Sequence, residues 1–496
     1  MKLLRNTFSL YLSLLGGFIL NFIQLKLLSL YLAPLKLGEF FTINAMGEIL
    51  SHILLLGSPF VVVRYLPKFK AETDNKKIFS LLSILGVSYL LLSILVYVCL
   101  RLFGYRLGIA MYKSEVIGTY LSFGFIVSFA IAFFWLIFMV FNGIRKMHYA
   151  ALLNIFYLLI STLTIWIFRE KLSVLLVLKI YLFSVLPSIV IGGLLLYRET
   201  GGLHRIDLKL ISEIRYYWKY AILLGCLSPL FSYLDRLLVG YFLTLPMVAI
   251  FTIASKIRGW TARVLDIPIQ ALTPEMSYAW EKDKQKVIGE ELSLVVKLYF
   301  FVALMLSLPI LVGGREIICL VSTDKYVGAF GTLCFLMIST LLSALYAPIT
   351  TAMRAIGKIG LHLYANIIWV AGYAGFMVLL IPRFEIVGIG IAHLLATGMT
   401  LLFVFIYIVR YHTKLSIGAD FFCKVIGFSF VFGLFTYFVW QHSATGAAYK
   451  VGLLFLFNMS IYLLFLFRAN ILSSAEKYRL RTLFASKYSF LSKILN

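Results

Sequence analysis

Charged residues are scarce in this chain. Only 13% of its 496 residues are Asp, Glu, Lys or Arg, whereas 62% are apolar or aromatic. A soluble domain carries about 25% charged residues, and a chain of this length does not need so much apolar surface to fill a core. The shortage of charge therefore excludes an ordinary soluble fold.

Cysteine is rare as well, and its five copies stand singly in or beside apolar runs: Cys99, Cys226, Cys319, Cys334 and Cys423. The sequence contains no CxxC pair and no Cys/His cluster, so it indicates neither a disulfide framework nor a metal site. Nucleophile motifs, phosphate-binding Gly loops and Walker sequences are also missing. We therefore expect no enzymatic activity, no resident cofactor and no direct hydrolysis of ATP by this chain.

The apolar residues occur in long runs along the chain. A helix of about 20 apolar residues crosses a hydrocarbon layer roughly 30 Å thick, and irregular backbone is not viable in lipid. The run from Val174 to Leu196, for example, holds a single charge, Lys179. The sequence predicts an all-α integral membrane protein with about 14 transmembrane helices. The predicted spans are 7–31, 40–63, 78–100, 118–141, 149–168, 173–196, 218–242, 247–270, 292–313, 328–350, 361–381, 386–409, 421–440 and 450–467.

Basic residues outnumber acidic ones, 45 to 21, which gives a net charge of +24. They are dispersed over short loops without a basic domain, so we expect no nucleic-acid partner. With a cytoplasmic N-terminus, the inside segments hold 28 Lys and Arg and the outside segments hold 10. The positive-inside rule then places both termini in the cytoplasm. The longest outside loop, about Arg101–Ile117, is too short for a soluble domain.

A weak internal repeat suggests two lobes. The tripeptide Leu-Leu-Gly opens the first span at residues 14–16 and the seventh span at residues 223–225. That spacing fits two six-helix lobes built from parallel repeats around a central cavity. The predicted divisions are an N-terminal lobe at 1–200, a C-terminal lobe at 201–415, two additional helices at 416–467 and a basic cytoplasmic tail at 468–496. The tail is either an amphipathic helix on the anionic inner leaflet or an unstructured segment.

The eighth span carries a basic stripe. Lys256, Trp260 and Arg263 are spaced i, i+4 and i+7, which puts two cations and an indole on one helical face. Asp266 follows at a distance that allows a local pair with Arg263. An intramembrane charge is a functional candidate by default, and such a stripe facing a cavity would suit a diphosphate headgroup. The alternative is that Lys256 and Arg263 extend toward opposite membrane surfaces and bind no ligand.

The seventh span contains the adjacent pair Asp235-Arg236. Neighbouring residues point about 100° apart on a helix, so both cannot share one face fully. Either residue could meet a substrate or a coupling cation in the cavity. A purely structural pair between helices is the other interpretation. Pro229 and Gly225 precede the pair and make this helix a candidate bending point.

Further polar groups lie on the first, second and twelfth spans. Glu48 and His52 are i, i+4 on one face, and a Glu–His pair can carry a proton or simply bond two helices. Lys26 is either a cavity cation or a residue that extends to the surface. Arg64 ends the second span and is interpreted as interfacial, and with Lys256, Arg263, Arg236, Lys26 and Trp260 it is a candidate for binding the diphosphate. His393 is interpreted as a satisfied packing residue.

Six stretches lie in order across both predicted lobes: LAPLKLGEF (32–40), FVVVRY (60–65), YLDRLLVGYF (233–242), IFTIASK (250–256), LTPEMS (272–277) and IPRFEIVGIGIA (381–392). Their order and spacing resemble those of the polysaccharide-transporter (Wzx-type) flippases of the multidrug/oligosaccharidyl-lipid/polysaccharide superfamily. Ala33 and Leu35-Lys36 depart from the family pattern in the first stretch.

The resemblance implies a V-shaped cavity between two lobes in the inner membrane of a prokaryote. Such flippases move undecaprenyl-diphosphate-linked saccharides from the cytoplasmic to the outer leaflet by alternating access, alongside glycosyltransferases and a polysaccharide polymerase. Arg64, Asp235 and Lys256 match motif residues of the family. The lipid bilayer and the lipid-linked saccharide are the expected partners, and an H+ or Na+ gradient is the candidate driving force.

Three rival functions are considered. A lipid II flippase shares the fourteen spans and basic cavity residues. A cation-coupled multidrug exporter of the same superfamily normally has twelve spans, and its cationic drugs would favour an acidic cavity over Lys256 and Arg263. A membrane glycosyltransferase or polymerase would need a catalytic carboxylate or His in a sizeable outer loop, which this sequence lacks.

Overall fold

The computed structural model describes residues 2–144, 146–200, 202, 204–282, 292–355, 359–411, 419–442 and 447–468. Within these ranges every regular element is a helix, which confirms the all-α fold class. The helices are α1 (Lys2–Tyr31), α2 (Pro34–Leu54), α3 (Ser58–Ala71), α4 (Asn75–Tyr112), α5 (Glu115–Gly143), α6 (Met147–Ile167), α7 (Val174–Thr200), α8 (Leu210–Phe242), α9 (Leu245–Lys282), α10 (Leu292–Val321), α11 (Phe330–Ala355), α12 (Ile359–Tyr411), α13 (Ala419–His442) and α14 (Ala447–Arg468). The predicted basic tail lies outside the described residues.

Many of these helices are long and apolar enough to cross a membrane. Nine in the described part satisfy that condition by length and composition, and eleven do if each of two bent pairs is one span. The prediction of a multi-pass membrane protein is therefore confirmed, whereas the count of fourteen spans stays a prediction. The first bent pair joins Pro34–Leu54 to Ser58–Lys70 at 45°.

The predicted span 40–63 is broken into α2 and α3. Leu56 and Gly57 have φ angles of 47° and 68°, in the left-handed region that ends a helix. The freed polar groups are bonded, as lipid requires: the Trp218 indole donates to the carbonyl oxygen of Leu56 over 2.8 Å. Pro59 stands in the first turn of α3, where its missing N–H costs nothing.

The helix α12 contains the opposite case, two predicted spans in one element. Glu385 has φ 49° and ψ −132° and interrupts the helix after Pro382. A Cβ built on Gly388 would lie 2.5 Å from the Leu380 carbonyl oxygen, and one on Gly372 would lie 2.3 Å from the Met399 Cε. In both pairs, one residue comes before Glu385 in the chain and its partner comes after it. The chain therefore turns back on itself at Glu385. The two halves correspond to the predicted spans 361–381 and 386–409.

The outer loop predicted at Arg101–Ile117 is mostly helical. The helix α4 continues through Arg101 and Arg106 to Tyr112 and ends at Lys113, whose φ is 50°. The side chain of Ser114 then caps α5 by accepting from the backbone N–H of Ile117 over 3.2 Å. Charged side chains end the apolar run here without ending the helix, and the outside position of this segment stays a prediction.

The chain forms two compact units. The first comprises Met1–Ile253 with Val321–Tyr326, and the second comprises Ala254–Leu320 with Val327–Asn496. In the first unit α5 is central and packs against α2, α3, α4, α6 and α7, while α8 lies on α2 and α3. The lobe divisions predicted at residues 200 and 415 stay predictions.

In the second unit the last two helices pack on α10. A cluster of buried aromatic and aliphatic side chains joins α10 to α13 and α14, with Phe301 and Tyr462 ring centroids 5.4 Å apart. Polar contacts add to it: Tyr462 donates to the Ser429 hydroxyl over 2.6 Å, and Asn458 donates to the Met305 carbonyl over 2.6 Å. The two predicted additional helices are thus firmly attached to the unit.

Candidate functional site

The predicted basic stripe lies on the uninterrupted helix α9. Lys256 and Trp260 are half-buried, and Arg263 is exposed. The Tyr299 hydroxyl of α10 donates to Asp266 over 3.4 Å. The structure therefore preserves the helical spacing of the stripe, while the binding role assigned to it stays a prediction.

Arg258 is a further cation on α9, outside the basic stripe. Its side chain is half-buried, and its charge acts electrostatically on Tyr299, Tyr346 and His393 in the second unit. Two residues of helix correspond to about 200°, so Arg258 and Lys256 lie on nearly opposite faces. The available signal was the intramembrane charge itself, since no motif marks this position.

His393 belongs to a hydrogen-bonded network inside the second unit. Its Nδ1 lies 2.5 Å from the Ser339 hydroxyl and 3.5 Å from the Thr397 hydroxyl. The Trp369 indole donates to the same Thr397 hydroxyl over 3.2 Å. Nε2 of His393, however, is buried without a hydrogen-bond partner in the described part of the chain. The interpretation of His393 as a satisfied packing residue is therefore wrong for that nitrogen.

Glu48 and His52 form the close pair that their spacing predicts. His52 Nδ1 lies 3.2 Å from Glu48 Oε2 and 2.9 Å from the Glu48 backbone oxygen. Glu48 is buried, with 6% of its surface exposed, and His52 is half-buried. The pair lies at the end of α2, directly before the break at Leu56 and Gly57. Such a buried acid–imidazole contact can hold or release a proton.

Asp235 and Arg236 make separate contacts on α8. Asp235 is buried, and its carboxylate accepts from the Arg236 backbone N–H over 2.7 Å. The guanidinium of Arg236 lies over the Tyr233 ring, 5.2 Å from its centroid. The same ring is 6.4 Å from the His52 imidazole. Tyr233 thus brings the Glu48–His52 pair and Arg236 into one group within the first unit.

Lys26 and Arg64 lie in local contacts of the first unit. The Lys26 ammonium donates to the backbone oxygen of Ser322. Arg64 is exposed, and its guanidinium lies 4.2 Å from the centre of the Tyr217 ring, a close cation–π contact. Within the described residues, no group of three or more His, Cys, Asp or Glu could hold a metal ion.

Chemically, these residues provide cations and hydrogen-bond donors on apolar helices. Lys256 and Arg258 in the second unit, and Arg236 and Lys26 in the first, are all half-buried. Cations at such positions attract anions more strongly than they would in water, because the surrounding dielectric constant is low. Each of these cations, within its own unit, suits contact with an anionic group.

Residues 3–280 match the family described as "Polysaccharide biosynthesis protein". The match covers more than half of the chain and includes α1 to α8 and nearly all of α9. Among curated proteins, a sequence search found no match.

The fold is similar to that of the lipid II flippase MurJ in an inward closed conformation, with a TM-score of 0.68 and 13% identity over 94% of this chain and 100% of that chain. It is also similar to the Vibrio cholerae MATE transporter VcmN, with a TM-score of 0.60 and 14% identity over 82% and 96% of the two chains. A third similar structure is the MATE multidrug transporter DinF-BH, with a TM-score of 0.60 and 15% identity over 82% and 95%. At such identities the likeness concerns the fold alone. The chain therefore belongs to the polysaccharide biosynthesis protein family and has the fold of the MurJ and MATE transporters.

Proposed function

We propose that this protein is a flippase that moves undecaprenyl-diphosphate-linked oligosaccharide from the cytoplasmic to the outer leaflet by alternating access. It acts as a transporter and not as an enzyme. Its location is the cytoplasmic membrane of a prokaryote, where glycosyltransferases supply the substrate and a polymerase uses the product. The observation that carries the proposal is the presence of half-buried cations on apolar helices in a chain of the polysaccharide biosynthesis family.

The chemistry of the substrate explains why such cations are needed. A diphosphate brings at least two negative charges into a low-dielectric environment, where an unpaired anion is severely disfavoured. Charge-assisted hydrogen bonds from Lys256 and Arg263 would offset that cost, each by about 1.5–3 kcal/mol when desolvated. Arg263 is exposed, so screening lowers its share. Lys256 then carries the larger part of headgroup binding.

The coupling ion is H+ or Na+. The Glu48–His52 pair supports a proton as the coupling ion. The buried carboxylate and the imidazole are in close contact, and protonation of either group changes the net charge of the pair. Asp235 is the other candidate, since its buried carboxylate could also hold a cation.

The test is complementation of surface-polysaccharide export by a variant with Lys256→Ala and Arg263→Ala, with membrane abundance measured in parallel. We expect export to stop while abundance is kept, because removing charges from a span eases insertion. Lys179→Ala is the matched control, since it removes an exposed intramembrane cation of α7, and it should export normally. Normal export by an abundant double variant would contradict the proposal and favour the drug-exporter function.

Lipid II is the second candidate substrate, favoured by the similarity to the lipid II flippase over 94% of this chain. The two substrates share the diphosphate and the polyprenyl tail, so the basic residues do not separate them. Rescue of a strain depleted of its lipid II flippase would identify lipid II as the cargo. Rescue of polysaccharide export alone would identify the oligosaccharide.

A further inference from the structure

The first turns of α8 carry a cluster of exposed aromatic and basic side chains. Tyr216 and Tyr220 have 70% and 47% of their surface exposed, and Arg215 and Lys219 are exposed as well. The Lys219 ammonium lies 4.7 Å from the centre of the Tyr216 ring and 5.0 Å from that of the Tyr220 ring. The two rings meet edge to face, with their centroids 5.6 Å apart. One ammonium group therefore makes cation–π contacts with two rings on the surface of the first unit.

The same face of α8 changes from polar to apolar along the helix. Residues three or four apart share a helical face, and on this face Tyr216 and Lys219 are followed by four leucines, at positions 223, 227, 230 and 234. The helix begins at Leu210, eight residues or about 12 Å before the predicted span 218–242. That length crosses the headgroup layer of one leaflet, which is about 5–8 Å thick. Tyrosine is enriched at this level of a membrane, so we expect Tyr216, Lys219 and Tyr220 to lie among the lipid headgroups.

The segment before α8 continues this surface. The backbone N–H of Asp207 donates to the Ser80 hydroxyl of α4 over 2.9 Å, and the Asp207 carboxylate accepts from the Lys209 backbone N–H over 3.0 Å. These bonds fix the segment, yet the aliphatic side chains of Ile206 and Leu208 are exposed. Both lie outside the predicted spans, next to basic residues. Exposed aliphatic side chains bordered by cations are typical of a surface that lies in the membrane interface.

The charge of this surface is positive. Glu213 is the acidic residue in the first turn of α8, and its carboxylate bonds to Lys68 over 3.2 Å and to Lys77 over 3.4 Å. Two lysines from α3 and α4 thus offset this carboxylate, and Arg215 and Lys219 add further positive charge. Anionic headgroups of the inner leaflet attract basic residues at this depth, and a tyrosine hydroxyl can donate a hydrogen bond to a phosphate oxygen.

We propose that this face of α8 binds an anionic glycerophospholipid of the inner leaflet, with the phosphate at Arg215 and Lys219 and an acyl chain along the leucines that follow. A zwitterionic lipid suits the site less, because its ammonium group is repelled by the same two cations. A free phosphate ester suits it less as well, because it has no acyl chain to cover the leucines. The proposal concerns a lipid that stays in its leaflet, and it does not depend on the identity of the cargo.

The test is native mass spectrometry of the purified full-length protein in detergent, titrated with phosphatidylglycerol, phosphatidylcholine or glycerol 3-phosphate. We expect the tightest site to bind phosphatidylglycerol at least about tenfold more tightly than the other two. Lys219→Ala should weaken this binding about fivefold, and Arg215→Ala with Lys219→Ala about 25-fold, because each basic residue adds a similar attraction to an anionic lipid.

Two further variants separate positioning and charge from a general loss of structure. Tyr216→Leu should weaken binding several-fold at unchanged net charge, because one ring that contacts the ammonium group is lost. Lys219→Arg should keep the binding, since arginine has the same charge and stacks on aromatic rings. The matched control is Lys325→Ala, which removes one exposed lysine of the same unit outside this face and should bind like the wild type.

Several results would overturn the inference. They are equal affinity for phosphatidylcholine or glycerol 3-phosphate, unchanged affinity in the Arg215/Lys219 double variant, or an equal loss in Lys325→Ala. Undecaprenyl phosphate that displaced phosphatidylglycerol at a lower concentration would assign the face to the transported lipid and would also overturn it. These titrations do not depend on transport, whereas the flippase function is tested separately by export in cells.

Discussion

Gly57 is the residue at which a single methyl group should do most damage to the first unit. A Cβ on Gly57 would lie 2.1 Å from the Ala221 carbonyl oxygen and 2.2 Å from its carbon, which are backbone atoms of α8 that cannot rotate away. Its φ of 68° also disfavours any side chain, by roughly 1–2 kcal/mol. Shifting packed backbone adds about 1–3 kcal/mol. Gly57→Ala should therefore cost about 2–5 kcal/mol, a large part of an ordinary folding stability of about 5–15 kcal/mol.

The assay is the midpoint of thermal unfolding of the purified variant in detergent, together with its abundance in membranes. Gly86→Ala is the control, because the space around Gly86 in α4 is open within 4 Å of the added Cβ. In a helix interior that change should be neutral or stabilise by up to about 1 kcal/mol. Equal midpoints for Gly57→Ala and the wild type would show that the contact between the α2–α3 break and α8 is looser than described, and would refute the reasoning.

Two further predictions concern topology and coupling. Reporter fusions at Ser114 and Asn496 should report opposite sides of the membrane, because the loop cations favour cytoplasmic termini; same-side labelling would show a miscounted span. Glu48→Gln should slow export less than Lys256→Ala does, because an ion gradient drives the cycle whereas headgroup capture is needed for any cycle. If Glu48→Gln abolished export in the same complementation assay while Lys256→Ala left it unchanged, the assigned roles would be reversed.

Hydropathy predicted the existence of the helices better than their ends. The predicted spans 118–141 and 149–168 agree with α5 and α6 within a few residues, because a cap or a tight turn follows each apolar run. The prediction at 78–100 missed the last twelve residues of α4, which extends to Tyr112. Hydropathy marks the part of a helix that suits lipid, whereas backbone hydrogen bonding continues wherever no capping geometry stops it.

Local spacing predicted one part of the candidate site, and no local rule could predict the other. Glu48 and His52 lie four residues apart, and their contact follows from helix geometry alone. The Ser339–His393 contact joins residues 54 positions apart on two helices, so it depends on how α11 packs against α12. The sequence does not single out Arg258 for a related reason: the groups on which its charge acts, Tyr346 and His393, lie on other helices.

The break in the second span is best understood together with α8. The helix α8 contacts the second span before the break, at the break and after it. The four contacts are Tyr233 with His52, Trp218 with Leu56, Gly225 with Gly57 and Tyr217 with Arg64. A helix broken by chance would leave backbone groups unbonded in lipid, which is strongly disfavoured. Here an indole bonds the carbonyl oxygen at the break, and a glycine allows the two backbones to touch. The helix α8 also contacts the His52 imidazole through Tyr233. A change of charge at the Glu48–His52 pair therefore acts directly on α8, which carries Asp235 and Arg236. This direct contact is the physical reason to test Glu48 and Gly57 in the same export assay.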